Sequence, residues 1–193
     1  LDGEPEVASR LRVESIESPF DYGSQVYCAV PSGVPDPRDA GYLSAVIQGV
    51  TEAVRVAQGR TFVLFTSYRM LHQVADSVGR DLGRSFSILR QGDLPRDRLI
   101  ELFRSSRRAV LFGTDSFWEG VDVRGEALSC VILPKLPFRV PTEPIQQARA
   151  ERIEAAGGDS FADLAVPQAV LKFRQGFGRL IRHRSDRGVV LIL

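Results

Sequence analysis

Residues 108–122 give the clearest indication of the fold, and they read Arg-Ala-Val-Leu-Phe-Gly-Thr-Asp-Ser-Phe-Trp-Glu-Gly-Val-Asp. An apolar run of strand length, residues 109–112, is followed by a glycine and then by a loop rich in polar side chains. Continuous apolar runs are typical of strands that are buried on both faces of a parallel sheet. The stretch therefore predicts a buried strand with a functional loop at its carboxyl end.

Similar apolar runs alternate with helical patterns on either side of this stretch, which predicts an α/β fold whose mainly parallel sheet is covered by helices on both faces. The predicted strands are 24–30, 61–65, 86–89, 109–112, 128–133 and 188–193. The predicted helices are 41–58, 70–82, 95–105, 145–155 and 167–181.

Length and composition are those of one globular domain. The chain has 193 residues, is 44% hydrophobic and 25% charged, and contains no apolar run near the ~20 residues that a membrane span requires. Its first residues lack the pattern of a signal peptide, so a cytoplasmic protein without a membrane partner is expected. Because no initiator Met is present, the chain is predicted to be a fragment, with a leading segment at 1–23 and a domain at 24–193.

Charge is concentrated near the end of the chain. Residues 171–187 hold six cations and one anion, whereas the whole chain has a formal net charge of only +1. Such a block predicts a local phosphate partner, although a solvated basic helix face would look the same.

The two cysteines, Cys28 and Cys130, each lie in a predicted strand. Buried free thiols are expected, and the sequence leaves a disulfide open. A zinc or iron–sulfur site usually requires four ligands at close spacing, so no metal site is predicted within this chain.

Hydroxyl and amide side chains follow several of the predicted strands. Thr66 and Ser67 follow one strand, Gln91 and Gly92 the next, and Thr114 the one after that. Exposed N–H groups at the start of a helix can hold a phosphate, but Thr66 or Ser67 could equally be a simple helix N-cap.

The loop after residue 112 resembles motif V of superfamily 2 helicases, in which Thr-Asp precedes Gly-x-Asp. Thr114, Gly120 and Asp122 occupy the matching positions. The form of residues 118–122, Trp-Glu-Gly-Val-Asp, is that of the DinG and XPD branch. Residues 134–144 resemble the Leu-Pro-Phe loop of the same branch. Residues 18–22 resemble the segment that leads into this domain in members of that branch.

The last predicted helix carries a second match, to motif VI with the pattern Gln-x-x-Gly-Arg-x-x-Arg. Gln175, Arg179 and Arg182 are the side chains concerned, and a helix would place all three on one side. Arginines from one motor domain neutralise charge on the γ-phosphate during phosphoryl transfer. Each arginine could instead be a surface or salt-bridge residue, but the order and spacing of the motifs favour the helicase interpretation.

The resemblance covers nearly the whole chain and implies a bacterial DinG-like helicase. The chain would be its second, RecA-like three-layer motor domain, with motifs IV, V and VI, acting 5′ to 3′ on single-stranded DNA in repair or replication. By the same resemblance, the side chains contacting the DNA would be Thr66, Ser67, Gln91, Gly92, Thr114 and Trp118. Those lining the nucleotide cleft would be Glu119, Gly120 and Asp122, and those completing catalysis would be Gln175, Arg179 and Arg182. Trp118 could equally pack beneath its loop.

The phosphate-binding half of an ATPase is missing from this sequence. Neither lysine follows a glycine, as a Walker A motif requires, and no Asp-Glu pair is present. ATP and Mg²⁺ would therefore be shared with a first motor domain elsewhere in the same protein, and this chain alone is predicted to be inactive. The resemblance also allows an iron–sulfur cluster in the full-length protein, outside this chain.

Two other functions compete with this interpretation. A non-catalytic nucleic-acid-binding module of RecA-like fold would have lost Arg179 or Arg182, and both are present. A dinucleotide-binding oxidoreductase is suggested by Gly176 and Gly178, but this pair lies within a predicted helix and lacks the third glycine.

Overall fold

Six parallel strands form one sheet. The structure is a computed structural model that describes residues 14, 16–114, 117, 123, 127–139, 143–178 and 180–193. Within them the strand order is β1-β6-β5-β2-β4-β3, and all neighbours run parallel. The strands are β1 (Val26–Ala29), β2 (Thr61–Leu64), β3 (Ser87–Arg90), β4 (Ala109–Gly113), β5 (Cys130–Leu133) and β6 (Gly188–Ile192).

Six α-helices and one π-helical turn flank the described sheet. They are α1 (Tyr22–Gln25), α2 (Tyr42–Val56), α3 (Tyr68–Leu82), α4 (Arg96–Ser105), α5 (Pro144–Ala155), the π-helical turn (Phe161–Ala165) and α6 (Val166–Phe177). None of the described helices is long and apolar enough to cross a lipid bilayer.

Two apolar cores lie on opposite faces of the sheet. On one face, α2 and α3 cover the sheet with residues such as Val50 and Val74. On the other face, Leu99 and Phe103 of α4 pack with residues from the chain after α6. Every residue of β2, β4 and β5 is buried, as continuous apolar strands require. The predicted three-layer α/β fold is therefore confirmed.

The last helix is shorter than predicted. It was expected to run to residue 181, but α6 ends at Phe177, with Gly178 as its C-cap. Beyond it, the Leu180 and Ile181 side chains are buried in the second core. Leu180 lies so close to Gly188 that a Cβ there would meet it at 2.4 Å. Burial of Leu180 and Ile181 thus takes the chain out of the helix before Arg182.

The prediction that both cysteines are buried is wrong for Cys28. This residue lies on β1, an edge strand, and is exposed, whereas Cys130 on β5 is buried, and both are free thiols. Burial raises the pKa of the Cys130 thiol to about 11, against a smaller lowering effect from its hydrogen bond with Thr61.

Candidate nucleotide and nucleic-acid interface

The predicted nucleic-acid residues lie in loops at the carboxyl edge of the sheet. Thr66 and Ser67 connect β2 to α3 and are both exposed. Ser67 is the N-cap of α3, where its Oγ accepts a hydrogen bond from the Met70 N–H at 3.5 Å. The N-cap role considered for Ser67 is therefore present, and Thr66 remains at the surface directly before the helix.

Gln91 and Thr114 form a buried link between the loops after β3 and β4. The Gln91 Oε1 accepts hydrogen bonds from the Thr114 N–H at 2.6 Å and from the Thr114 hydroxyl at 3.0 Å. The two residues are only 9% and 5% exposed. Their side chains therefore contact each other at this edge, and the link fixes the start of the loop after β4.

Tyr68 extends this link to the loop after β2. The Gln91 Nε2 donates a hydrogen bond to the Tyr68 hydroxyl, so side chains following three different strands are connected. Tyr68 is 54% exposed, and its ring stacks on the His72 ring at 6.4 Å between centroids. Sequence analysis missed Tyr68, although it directly follows Ser67.

The turn that carries Gly92 is braced by charge. The guanidinium of Arg90 contacts the carboxylates of Asp76 at 2.6 Å and Asp93 at 2.9 Å. These contacts raise the pKa of Arg90, with the hydrogen bond to Asp93 as the largest cause. Gly92 has a φ of +102° and open space around its Cβ position, so the backbone conformation is what requires glycine there.

The ends of the loop after β4 are anchored in the second core. Phe117 and Val123 are 2% and 1% exposed, and the Phe117 N–H donates to the Thr114 carbonyl at 2.8 Å. The predicted site residues between and near these anchors, Trp118, Glu119, Gly120 and Asp122, lie outside the described residues, as does Arg179 in the chain after α6.

Two of the three predicted catalytic residues lie together. Gln175, near the end of α6, and Arg182, in the following segment, line one open cavity of about 440 Å³ together with Arg174 and Phe20. The expectation of a shared helical face is wrong for Arg182, because α6 has already ended. Guanidinium and amide groups are the donors that a phosphate requires, so the lining fits part of a nucleotide phosphate site.

A carboxylate fixes the backbone of Arg182. The Asp186 Oδ2 accepts hydrogen bonds from the N–H groups of Arg182 at 2.9 Å and His183 at 2.7 Å. Asp186 leads into β6, so this turn lies at the amino edge of the sheet, away from Thr66 and Gln91. Arg182 therefore lies at the opposite edge of the sheet from Thr66 and Gln91.

The all-parallel six-stranded sheet with helical layers on both faces is that of a RecA-like domain. The chain belongs to the helicase C-terminal domain family, which it matches over residues 50–193. Among solved structures, an XPD helicase has a TM-score of 0.67 and 17% sequence identity, covering 87% of this chain and 31% of that chain.

Two curated relatives agree with the family. The chain is 43% identical to ATP-dependent DNA helicase YoaA of Haemophilus influenzae over 188 residues, 95% of this chain and 29% of that protein. It is 36% identical to ATP-dependent helicase DinG of Mycobacterium tuberculosis over 179 residues, 92% of this chain and 27% of that protein. The chain thus spans less than a third of the length of these relatives.

Proposed function

We propose that this chain is the second motor domain of an ATP-dependent DNA helicase. In the full-length protein, it would complete an ATP site whose phosphate-binding lysine and Mg²⁺-binding acid belong to the first motor domain. The cavity shared by Gln175 and Arg182 is the observation that carries the proposal. An arginine and an amide reach it from two different segments, although the helix that was expected to align them ends early.

In this proposal, Arg182 acts with Arg179 as an arginine finger. Negative charge accumulates on the γ-phosphate oxygens as the phosphoryl group transfers, and a guanidinium supplied across a domain interface neutralises it. Gln175 would orient the same phosphate by a hydrogen bond. Glu119, Gly120 and Asp122 remain proposed as nucleotide-cleft residues on the strength of the motif alone.

The proposed DNA grip lies at the carboxyl edge of the sheet. Thr66, Ser67 and Gly92 are exposed there, and the N-terminal N–H groups of α3 face outward beside them. Because Gln91 and Thr114 are buried and bonded to each other, their main contribution would be to hold these loops in register. Trp118 remains a proposed stacking residue from the motif.

The remaining details of the proposal rest on the resemblance to the DinG and XPD branch. They are 5′ to 3′ movement, a role in DNA repair or replication, a cytoplasmic location and an iron–sulfur cluster elsewhere in the full-length protein. They also include the partners, single-stranded DNA and the first RecA-like domain of the same protein.

ATPase activity of the full-length protein, measured with and without single-stranded DNA, tests the proposal. The motor interpretation expects strong stimulation by DNA, and it expects the isolated chain to stay at background. A protein that binds single-stranded DNA but hydrolyses no ATP would instead be the non-catalytic binding module. DNA-stimulated turnover by the isolated chain would contradict a site divided between two domains.

A further inference from the structure

The chain before β1 reaches the Arg182 turn through one buried side chain. Gln25, at the end of α1, is only 4% exposed. Its Nε2 lies within hydrogen-bond distance of three carbonyl oxygens, those of His183 at 2.9 Å, Arg184 at 3.2 Å and Asp186 at 3.1 Å. The two N–H groups of Nε2 are shared among these three carbonyls, so one side chain links α1 to the whole turn.

The opposite side of the same turn is held by Asp186. Its carboxylate accepts the N–H groups of Arg182 and His183, while its own carbonyl is one of the three that Gln25 contacts. Gln25 therefore satisfies carbonyl groups and Asp186 satisfies N–H groups of the same short segment. Between them they define the backbone from which the Arg182 side chain projects.

Two aromatic residues of the leading segment continue the contact along α6. Phe20 lines the cavity that Arg182 and Gln175 share. Tyr22 packs edge-to-face on Phe177, the last residue of α6, at 5.6 Å between ring centroids. Residues 20–25 thus contact the chain on both sides of the segment that leads from α6 to Arg182.

We propose that Gln25 and Asp186 are positioning residues that hold Arg182 in the geometry required for ATP hydrolysis. This inference rests on the proposed function, because it assigns the turn a role in catalysis. The position of Arg182 then depends on residues 20–25 as well as on motif VI, so a movement of residues 20–25 would move Arg182. A merely structural role would affect folding stability and leave turnover unchanged.

The experiment compares Gln25→Met with Gln48→Met in the full-length protein. Methionine has nearly the shape of glutamine but no N–H donor, and Gln48 is an exposed glutamine on α2 whose Nε2 donates to the Glu52 carboxylate. Gln25→Met should lower the DNA-stimulated kcat about 10- to 100-fold, the cost of misplacing a catalytic group by about 1 Å. The KM for ATP should change less than about threefold, and Gln48→Met should behave as wild type.

Hydrogen exchange of the peptide spanning residues 180–187 tests whether Gln25 holds the turn, separately from whether the turn affects catalysis. Gln25→Met should speed exchange there, because the amides of Arg182 and His183 lose their fixed geometry. Unchanged exchange would show that Gln25 does not hold the turn, and faster exchange with unchanged kcat would show that holding the turn does not matter for catalysis. A wild-type protein without DNA-stimulated ATPase would reject the proposed function itself, together with the catalytic role of Gln25.

Asp186 provides a second test that does not depend on Gln25. Asp186→Asn keeps an oxygen that can accept both N–H groups, whereas Asp186→Ala removes it. The asparagine variant should keep most of the wild-type kcat, and the alanine variant should lose about as much as Gln25→Met. Equal losses in both variants would show that the charge, rather than the positioning, matters, and would contradict the proposal.

Discussion

Gln91 accepts two hydrogen bonds from Thr114, one from its backbone N–H at 2.6 Å and one from its hydroxyl at 3.0 Å. The two residues are 23 positions apart in the chain and belong to loops after different strands. Replacing Gln91 by Met should lower the free energy of unfolding by about 1–3 kcal/mol, because a buried N–H group loses its acceptor. Urea denaturation measures this loss.

The same substitution should weaken binding of single-stranded DNA by the full-length protein, since the Thr114 loop loses its anchor. Gln147→Met is the matched control, because Gln147 is exposed on α5. It should change neither stability nor binding. A Gln91→Met protein as stable as wild type would show that the link contributes little.

Gly92→Ala should weaken DNA binding, and Gly157→Ala should not. Both glycines have positive φ angles, +102° and +82°, with open space at the Cβ position. Each alanine should therefore cost about 1–2 kcal/mol of stability from the left-handed backbone. Because only Gly92 lies beside the proposed DNA grip, a binding assay at equal folded fraction should separate the variants. Equal binding losses would remove Gly92 from the interface.

The central strands were predictable from the sequence because they are short, continuous apolar runs. Residues 62–64 and 109–112 are continuous apolar runs, and such runs form buried parallel strands. The exposure of Cys28 could not be predicted from such a run. Cys28 is exposed because β1 is an edge strand, and the strand order depends on the whole chain.

The geometry of the motif VI segment could not be predicted either. Helical periodicity continued past Gly178, but packing of Leu180 against Gly188 ends the helix. The contact between Gln25 and the turn near Asp186 joins residues 161 positions apart. A single sequence carries no local signal for such a contact, so motif spacing located the functional residues without revealing what holds them.

The two thiols should differ in reactivity. Cys28 is exposed, whereas Cys130 is buried and its pKa is raised to about 11. Because the thiolate is the reactive form, an aromatic disulfide reagent at pH 8 should modify one thiol per native chain and two in denaturant. Cys28→Ser should abolish the native reaction. Rapid modification of both thiols in the native chain would contradict the burial of β5.

Alkaline pH should destabilise the domain through Tyr42. Burial raises the pKa of Tyr42 from its ordinary value near 10 to about 12. The stabilising effect of the neutral phenol is therefore complete below pH 10 and is lost as pH rises towards 12. At pH 11 this loss is about 1 kcal/mol.

Tyr42→Phe should accordingly lose less stability than wild type between pH 9 and pH 11, as measured by urea denaturation at each pH. Tyr27→Phe is the control, because Tyr27 is 71% exposed. It should keep the wild-type pH dependence. Identical pH curves for Tyr42→Phe and wild type would contradict the raised pKa.

The kinetics of Arg182→Ala in the full-length protein test the central claim most directly, with Arg184→Ala as control. Arg184 is exposed in the same basic block but lies outside the motif spacing. Arg182→Ala should lower the DNA-stimulated kcat by ~10³–10⁵, as loss of an arginine finger does, while folding and DNA binding remain nearly intact. Arg184→Ala should weaken DNA binding slightly and spare turnover at saturating DNA. Equal, mild losses in both variants would show that Arg182 is an ordinary basic surface residue and would contradict its assignment to an interdomain ATP site.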